Sequence, residues 1–485
     1  MHLDDLLGAV KDRPGLRGLV TSGASTDRSA ALDVTRADYD SRAVTPGSLF
    51  CCVPGEVHDG HDYAADAVAS GAVALLVERP LHLGVVELQV TSVRQAMGPL
   101  AAVLAGSPSE ALDVVGVTGT NGKTTVTHLL ASILNHANIT CGVIGTLTGT
   151  RTTPEAPDLQ DQLAAFAADG AAAVAMEVSS HALDLHRVDG TRFRVGVFTN
   201  LSRDHLDHHG DMSHYFHAKA RLFEPVRCDV AVLNLDDPHG RLLFDAAEVP
   251  ALGYQIGDAE DLVVSATGSQ FRWRGARVAL PLAGRFNVSN ALAAATAAAE
   301  LGVTPEQVAA GLAAVPVIPG RFESIDEGQD FLAVVDFAHT PDGLEHLLTS
   351  AREIAGDGRV LVVLGAGGNR DRTKRPAMGE VVSRLADVVF LTSDNPRDED
   401  PAAIMGHVQH GMEDPRQLVV QPDRRLAIVA AVAASRPGDV LLVAGKGHEA
   451  TQIVGNVTTP FDDREVLRQA LRRAGIAASE GEETR

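Results

Sequence analysis

The feature that most restricts the fold is Gly119-Thr120-Asn121-Gly122-Lys123-Thr124-Thr125, because of what flanks it. Before it, Leu112-Asp113-Val114-Val115-Gly116-Val117 has the pattern of a buried strand. After Lys123, apolar residues fall at Val126, Leu129, Leu130, Ile133 and Leu134, the spacing of one helix face. Strand, glycine-rich turn and helix in that order make a phosphate cradle. Glycines let backbone N–H groups curl around phosphate oxygens, and the helix N-terminus favours negative charge. Lys123 reaches the terminal phosphates, and the Thr124 hydroxyl is placed to ligate Mg²⁺. The common form of the loop has a glycine five positions before Gly122. Val117 stands there and the earlier glycine is Gly116, so this loop is a variant. A simple glycine-rich turn is the competing reading, and the flanking strand and helix weigh against it.

Further apolar runs at Ala173 to Met176, Val195 to Phe198 and Val230 to Leu235 alternate with helical stretches. That is the sequence form of a mostly parallel sheet with helices on both faces, an α/β fold. With 485 residues the chain is too long for one core. Gly106-Ser107-Pro108-Ser109 and Ile318-Pro319-Gly320 read as linkers and divide it into 1–108, 109–319 and 320–485. In the first segment, Asp40-Ser41-Arg42 and Pro46 to Phe50 read as turn then strand, and nothing there identifies chemistry. The polar end, Ala477 to Arg485, is expected to fray.

The last segment repeats the strand–helix logic. Its predicted strands are Leu332 to Val335, Val360 to Leu364, Val388 to Thr392 and Val440 to Ala444. Each runs into polar or glycine-rich sequence: Asp336 to His339, Gly365 to Arg370, Asp394 to Arg397, and Gly445 to Glu449. Open parallel sheets bind ligands beyond the carboxyl ends of their strands, so four such ends predict one polar cleft.

The formal net charge of −22 argues against nucleic acid or an anionic membrane as a partner. No apolar run is long enough to cross a membrane, and Met1-His2-Leu3-Asp4-Asp5 does not begin a signal peptide, so a cytoplasmic location is expected. Cys51, Cys52, Cys141 and Cys228 have no metal-type spacing and read as packed thiols.

Single residues leave alternatives open. Glu177, at a strand's carboxyl end, is either a Mg²⁺ ligand opposite Thr124 or a capping or solvated glutamate. Asn200 to Gly210, with His205, supplies a metal ligand or is a polar loop. Lys219 reads on its own as a surface lysine. Asn287 reads as the N-cap of a helix from Val288 to Ala299, and Asp336 as a cap for a helix after Pro341. Arg321 is a surface arginine or reaches a phosphate across a domain gap. Asp394-Asn395-Pro396-Arg397 reads as a turn or as part of a binding site.

Together and in this order, these motifs resemble the Mur ligase family over nearly the whole chain. The match takes in the Gly119 to Thr125 loop, Thr152-Thr153-Pro154, Glu177-Val178-Ser179-Ser180-His181 and Asp204-His205-Leu206-Asp207. It extends through Asn287, Arg321, Asp336, the Asp394 tetrapeptide and Gly445-Lys446-Gly447-His448-Glu449. The resemblance implies an N-terminal UDP-binding domain, a central ATPase domain and a C-terminal Rossmann-like domain. It implies activation of a carboxylate by ATP to an acyl phosphate, which an amine then attacks. Gly119, Thr120, Asn121, Gly122, Lys123, Thr124, Thr125, Asn287, Arg321 and Asp336 are then expected to hold the nucleotide. Thr124, Glu177, His205 and a carbamylated Lys219 are expected to hold Mg²⁺, so that Lys123, Glu177, His205 and Lys219 form the catalytic set. Ser41, Thr152, Thr153, Ser179 and Arg187 match contacts to UDP-N-acetylmuramoyl-L-alanyl-D-glutamate. Arg370, Asp394, Asn395, Pro396, Arg397, Gly445 and Glu449 match the amino-acid pocket. Arg397 resembles the arginine of members that add meso-diaminopimelate, whose distal carboxylate suits a guanidinium. L-Lysine or another amine is the alternative acceptor. A monomer is expected. Leu185 departs from the family by standing where many relatives have glutamine, and His208 by standing where many have tyrosine.

Overall fold

The computed structural model describes the backbone of residues 1–13, 15–22, 32–55 and 57–482. Three α/β units follow one another. The first sheet runs in the order Val20–Ser22, Val86–Gln89, Ala74–Val77, Ser48–Cys51, Arg36–Asp38, parallel except at Val20–Ser22. The central sheet runs Ala251–Tyr254, Cys228–Asn234, Phe193–Phe198, Asp113–Thr118, Ala173–Glu177, Cys141–Ile144, and is wholly parallel. Its strand Asp113–Thr118, which feeds the glycine loop, is the point from which the chain builds first one side of the sheet and then the other. Such a switch point opens a crevice at the strand ends. The third sheet runs Glu323–Ser324, Leu332–Asp336, Val440–Ala444, Val360–Leu364, Val388–Leu391, Leu418–Val420, with only the first pair antiparallel.

Helices on both faces explain why the central strands are continuous apolar runs rather than alternating ones. Every residue of Val360–Leu364 and of Val440–Ala444 is buried. The helix after the loop is Lys123–His136, and its five predicted core residues, Val126, Leu129, Leu130, Ile133 and Leu134, are fully buried. Each contributes about 1.5–3 kcal/mol against exposure. They pack with helices Arg285–Glu300 and Pro305–Ala313, which locks the loop's helix in place.

Several expectations are corrected. Glu260–Ser265, Gly268–Trp273 and Ala276–Leu280 form an antiparallel sheet that interrupts the strand–helix alternation. Thr451–Val454 and Val457–Pro460 form a hairpin. The last helix is Asp463–Glu482, and residues 483–485 of the tail lie outside the described residues. Asn287 is not an N-cap: the helix starts at Arg285 after Gly284, and Asn287 is buried in its first turn, donating to the Ala283 carbonyl (2.8 Å). Asp336 does not cap the next helix, because Thr340 does, through the Gly343 N–H. Asp336 instead accepts from the N–H groups of Phe322 and Ala338, both at 2.7 Å.

Each unit has its own hydrophobic core, and we propose 1–108, 109–319 and 320–485 as the domain limits on that basis. Contacts cross these limits: Ala156 packs into the first core and Ala283 into the third. Among the described residues, no helix is long and apolar enough to cross a membrane.

Candidate active site

A cavity of about 820 Å³ opens where the carboxyl ends of the central and third sheets face each other. The glycine loop forms one wall. Gly122 has φ +88°, and a Cβ there would lie 2.4 Å from Asn290 Oδ1, so only glycine fits. Asn200 fixes the loop tip from the next strand, accepting from Asn121 N–H (2.9 Å) and donating to the Asn121 carbonyl (3.2 Å). Lys123 Nζ is folded back on its own loop, donating to the carbonyls of Gly119 and Thr120, both at 2.9 Å. Those carbonyls hold the ammonium over the cradle, from which it can turn to a phosphate.

Lys219 reverses its surface reading. The side chain is buried beneath the loop, with Nζ 2.8 Å from the Gly119 carbonyl and 4.6 Å from the Tyr215 ring centroid. Burial, and then the charge of Lys123, push its pKa well below the ordinary lysine value. Burial lowers Lys123 as well. Two buried ammonium groups side by side are unfavourable, and Lys219 is the one held towards the neutral amine.

Glu177 is buried, and its Oε1 accepts from the Thr124 hydroxyl (3.0 Å) and from Thr146 N–H (2.8 Å). Arg321 arrives from the third domain and donates to Thr124 Oγ1 (3.0 Å), with its guanidinium 4.5 Å from the Phe337 ring centroid. Its Nε is buried without a partner. Burial lowers Arg321 and raises Asp336 from their usual values. His205 lies in the cavity wall in a left-handed backbone conformation (φ +55°). Its side chain is nearly half exposed, and desolvation against the wall lowers its pKa despite the attraction of Asp204, which favours the neutral imidazole with a lone pair for a metal. Thr124 and Glu177 supply the hydroxyl and carboxylate oxygens that suit Mg²⁺.

The opposite wall carries the four strand ends predicted to converge. Lys446, fully buried, bridges Asn395 Oδ1 (3.2 Å), Glu449 Oε2 (3.1 Å) and Asp394 Oδ1 (3.5 Å). Asn395 also donates to Glu449 Oε2 (2.8 Å). Arg397 has φ +51°, and its Nη1 donates to the Gly368 carbonyl (2.7 Å). Burial, then the charge of Arg370, lower its pKa from the usual arginine value. Arg370, Asp394, Asn395, Arg397, Gly445 and Glu449 all line the cavity, whereas Pro396 does not.

Thr152 and Ser179 line the cavity near Glu177. Thr153 does not: its hydroxyl donates to the Glu177 carbonyl (2.8 Å) and accepts from Ser179 N–H (3.0 Å), bracing the strand end. Arg187 lies outside as well and pairs with buried Glu155 (2.9 Å), which Arg94 (3.6 Å) and Arg151 (2.5 Å) also approach. Ser41 sits in a turn of the first domain, away from the cavity lining, and neither Gly119, the loop's first residue, nor Lys219 beneath it lines the cavity. Sequence reasoning assigned no role to Thr146, Lys374 or Lys446. Lys374 reaches across the domain gap to Asp204 (3.5 Å), as Arg203 does to Thr373 (2.7 Å) and Asn121 to Asp342 (3.0 Å). No local sequence signal marks such pairs.

Fold and site define a three-unit α/β enzyme with a phosphate loop facing a polar cleft. The comparisons with known proteins agree. Residues 33–105 match the "Mur ligase family, catalytic domain", 117–298 the "Mur ligase middle domain", and 320–447 the "Mur ligase, glutamate ligase domain". The UDP-N-acetylmuramoyl-L-alanyl-D-glutamate--2,6-diaminopimelate ligase of Streptomyces coelicolor is 45% identical, over 93% of this chain and 94% of its own. That of Geobacillus kaustophilus is 44% identical, over 91% and 96%. A solved structure of a ligase of the same name superposes with a TM-score of 0.68 at 33% identity, covering 98% of this chain and 99% of that one. The MurF ligase of Thermotoga maritima, solved with ADP, shares the fold at 19% identity (TM-score 0.65, covering 91% and 97%). The chain belongs to the Mur ligase family.

Proposed function

We propose that this chain is an ATP-dependent, ADP-forming ligase that adds meso-2,6-diaminopimelate to UDP-N-acetylmuramoyl-L-alanyl-D-glutamate, a step of peptidoglycan precursor synthesis. The observation that carries this reading is one cavity with a phosphate loop on one wall and Arg370, Arg397 and Glu449 on the other. Relatives named for the same reaction, 44–45% identical over more than nine-tenths of the chain, support it.

The glutamate carboxylate of the nucleotide-sugar dipeptide attacks the γ-phosphorus of ATP, giving an acyl phosphate and ADP. The amine of the incoming amino acid then attacks the acyl carbon, and the tetrahedral intermediate expels phosphate to leave the amide. Positioning and charge neutralisation supply most of the acceleration. Residues Gly119–Thr125 cradle the phosphates, and Lys123 turns from its carbonyls to the transferred group. Asn287, Arg321 and Asp336 hold the nucleotide, Arg321 bringing a cation from the third domain to the phosphates. Thr124, Glu177 and His205 would hold Mg²⁺, which neutralises phosphate charge when bound. Lys219 would join them as a carbamate, formed when the neutral amine adds CO₂ and releases a proton. Its depressed pKa favours that reaction, because only the unprotonated amine is nucleophilic.

Ser41, Thr152, Thr153, Ser179 and Arg187 serve the nucleotide-sugar peptide, Thr153 by bracing Glu177 and Ser179. Arg370 and Arg397 meet the second carboxylate of diaminopimelate, and Asp394, Asn395 and Glu449 its ammonium groups, with Pro396 and Gly445 shaping the turn between them. We take the chain to act as a monomer, and the substrates of precursor synthesis fit a cytoplasmic location. The test is phosphate release with each substrate omitted in turn. Release is expected only when ATP, the UDP-dipeptide and diaminopimelate are all present, and steady release without the amine would overturn the reading.

A further inference from the structure

A second cluster of ligating side chains lies beside the cavity but outside its lining. Asp184 ends helix Ser180–Asp184, and His208 and His209 end the single turn Leu206–His209. One ligand atom from each lies within 4.8 Å of the others. His208 Nε2 is 2.9 Å from Asp184 Oδ2, and His209 Nε2 is 3.0 Å from Ser180 Oγ. His181 packs at a tilt against His208, with centroids 4.2 Å apart and planes at 30°. That stacking limits the rotation of the His208 ring. His209 is buried, whereas half of the Asp184 side chain is exposed, which leaves an approach from solvent.

We propose that Asp184, His208 and His209 form a binding site for a transition-metal dication of the Zn²⁺ class, separate from the nucleotide cavity. Two imidazoles and one carboxylate, with nitrogen in the majority, are a borderline donor set that suits Zn²⁺ better than Mg²⁺, which prefers a mainly oxygen shell. Three protein ligands leave a fourth position for water on the side that Asp184 opens. With metal–ligand bonds of about 2.0–2.2 Å, tetrahedral ligand atoms sit about 3.3–3.5 Å apart, so the widest gap closes by little more than about 1 Å. Rotation of the exposed Asp184 side chain supplies part of this, and His209 exchanges its Ser180 contact for the ion. The bound ion joins two elements that no backbone ladder connects. It fixes the turn that follows His205, whose carbonyl accepts from the N–H groups of His208 (3.2 Å) and His209 (3.0 Å).

The test uses tag-free full-length protein with Mg²⁺ in excess, titrated with Zn²⁺ by calorimetry and with Co²⁺ by absorption. Wild type is expected to bind one ion per chain, to give a tetrahedral-type Co²⁺ spectrum and to melt at higher temperature with Zn²⁺. His208→Phe retains a ring against His181, and Asp184→Asn retains shape. Each is expected to weaken Zn²⁺ binding about tenfold or more and to abolish the thermal shift, while melting like wild type without metal. Unchanged affinity in both variants would overturn the proposal. So would a stoichiometric site lost in His205→Ala but kept in His208→Phe, since the ion would then belong to the nucleotide cavity.

Discussion

Replacing Arg397 with alanine isolates the distal-carboxylate contact. In the structure Arg397 spends one donor on the Gly368 carbonyl (2.7 Å) and lines the cavity beside Arg370. A guanidinium has five N–H donors, so a bidentate pair remains for a carboxylate. Hydrogen bonds to a charged group are worth about 1.5–3 kcal/mol, which converts to a loss of about 10- to 150-fold in kcat/KM for diaminopimelate. The backbone contribution cancels. Arginine already sits at φ +51°, alanine pays the same left-handed strain, and the backbone bonds to Ile453 (3.1 Å) and from Gly455 (2.7 Å) remain. The lost Gly368 contact costs about 1 kcal/mol of stability. Steady-state phosphate release with diaminopimelate and with L-lysine, in both proteins, is the assay. Diaminopimelate turnover should fall and the slow lysine rate should not. Equal losses for the two amines would refute the reasoning, because Arg397 would then serve the end that both share.

Three more outcomes follow from the geometry. Lys219→Ala should lower ligase activity by about 100-fold or more, and acetate or formate should restore part of it by entering the vacated space; phosphate release with and without added carboxylate measures this. Arg424→Met strands Asp463, since both side chains are fully buried and joined at 2.6 and 2.8 Å, so urea denaturation should show a loss of about 3–5 kcal/mol, much of it regained by also replacing Asp463 with leucine. Burial depresses His181, His209, His339 and His448 to about 4, below the unfolded value of 6.5, so the unfolded chain binds more protons between those limits. Stability should therefore fall as pH drops from about 6.5 to about 4, and the urea midpoint followed against pH should show that slope.

What could be read from the chain was what is contiguous. The glycine loop, its strand and its helix follow one another within 25 residues, and periodicity located each. The four strand ends of the third domain were legible because doubly covered strands are unbroken apolar runs, and Asp336, Arg370, Asp394 and Glu449 do share one cavity. What failed depended on partners distant in sequence. Lys219 looks like any helical lysine until the loop, 100 residues away, is laid over it. Asn287 and Asp336 looked like caps because both types favour caps, but tertiary packing recruited them elsewhere. Lys446 lay inside a recognised motif without a role, since its partners Asp394 and Asn395 come from another strand end. The antiparallel sheet was hidden because its alternating burial, Phe271 and Trp273 against Gln270 and Arg272, is short and lies amid helical segments.

The most direct test of the central claim, that the third-domain cleft reads a second carboxylate, is a one-pot competition. The protein is given ATP, UDP-N-acetylmuramoyl-L-alanyl-D-glutamate and equal concentrations of meso-diaminopimelate and L-lysine, and the products are resolved by mass spectrometry. The account predicts that the diaminopimelate product dominates. Lysine incorporated at an equal rate would contradict it.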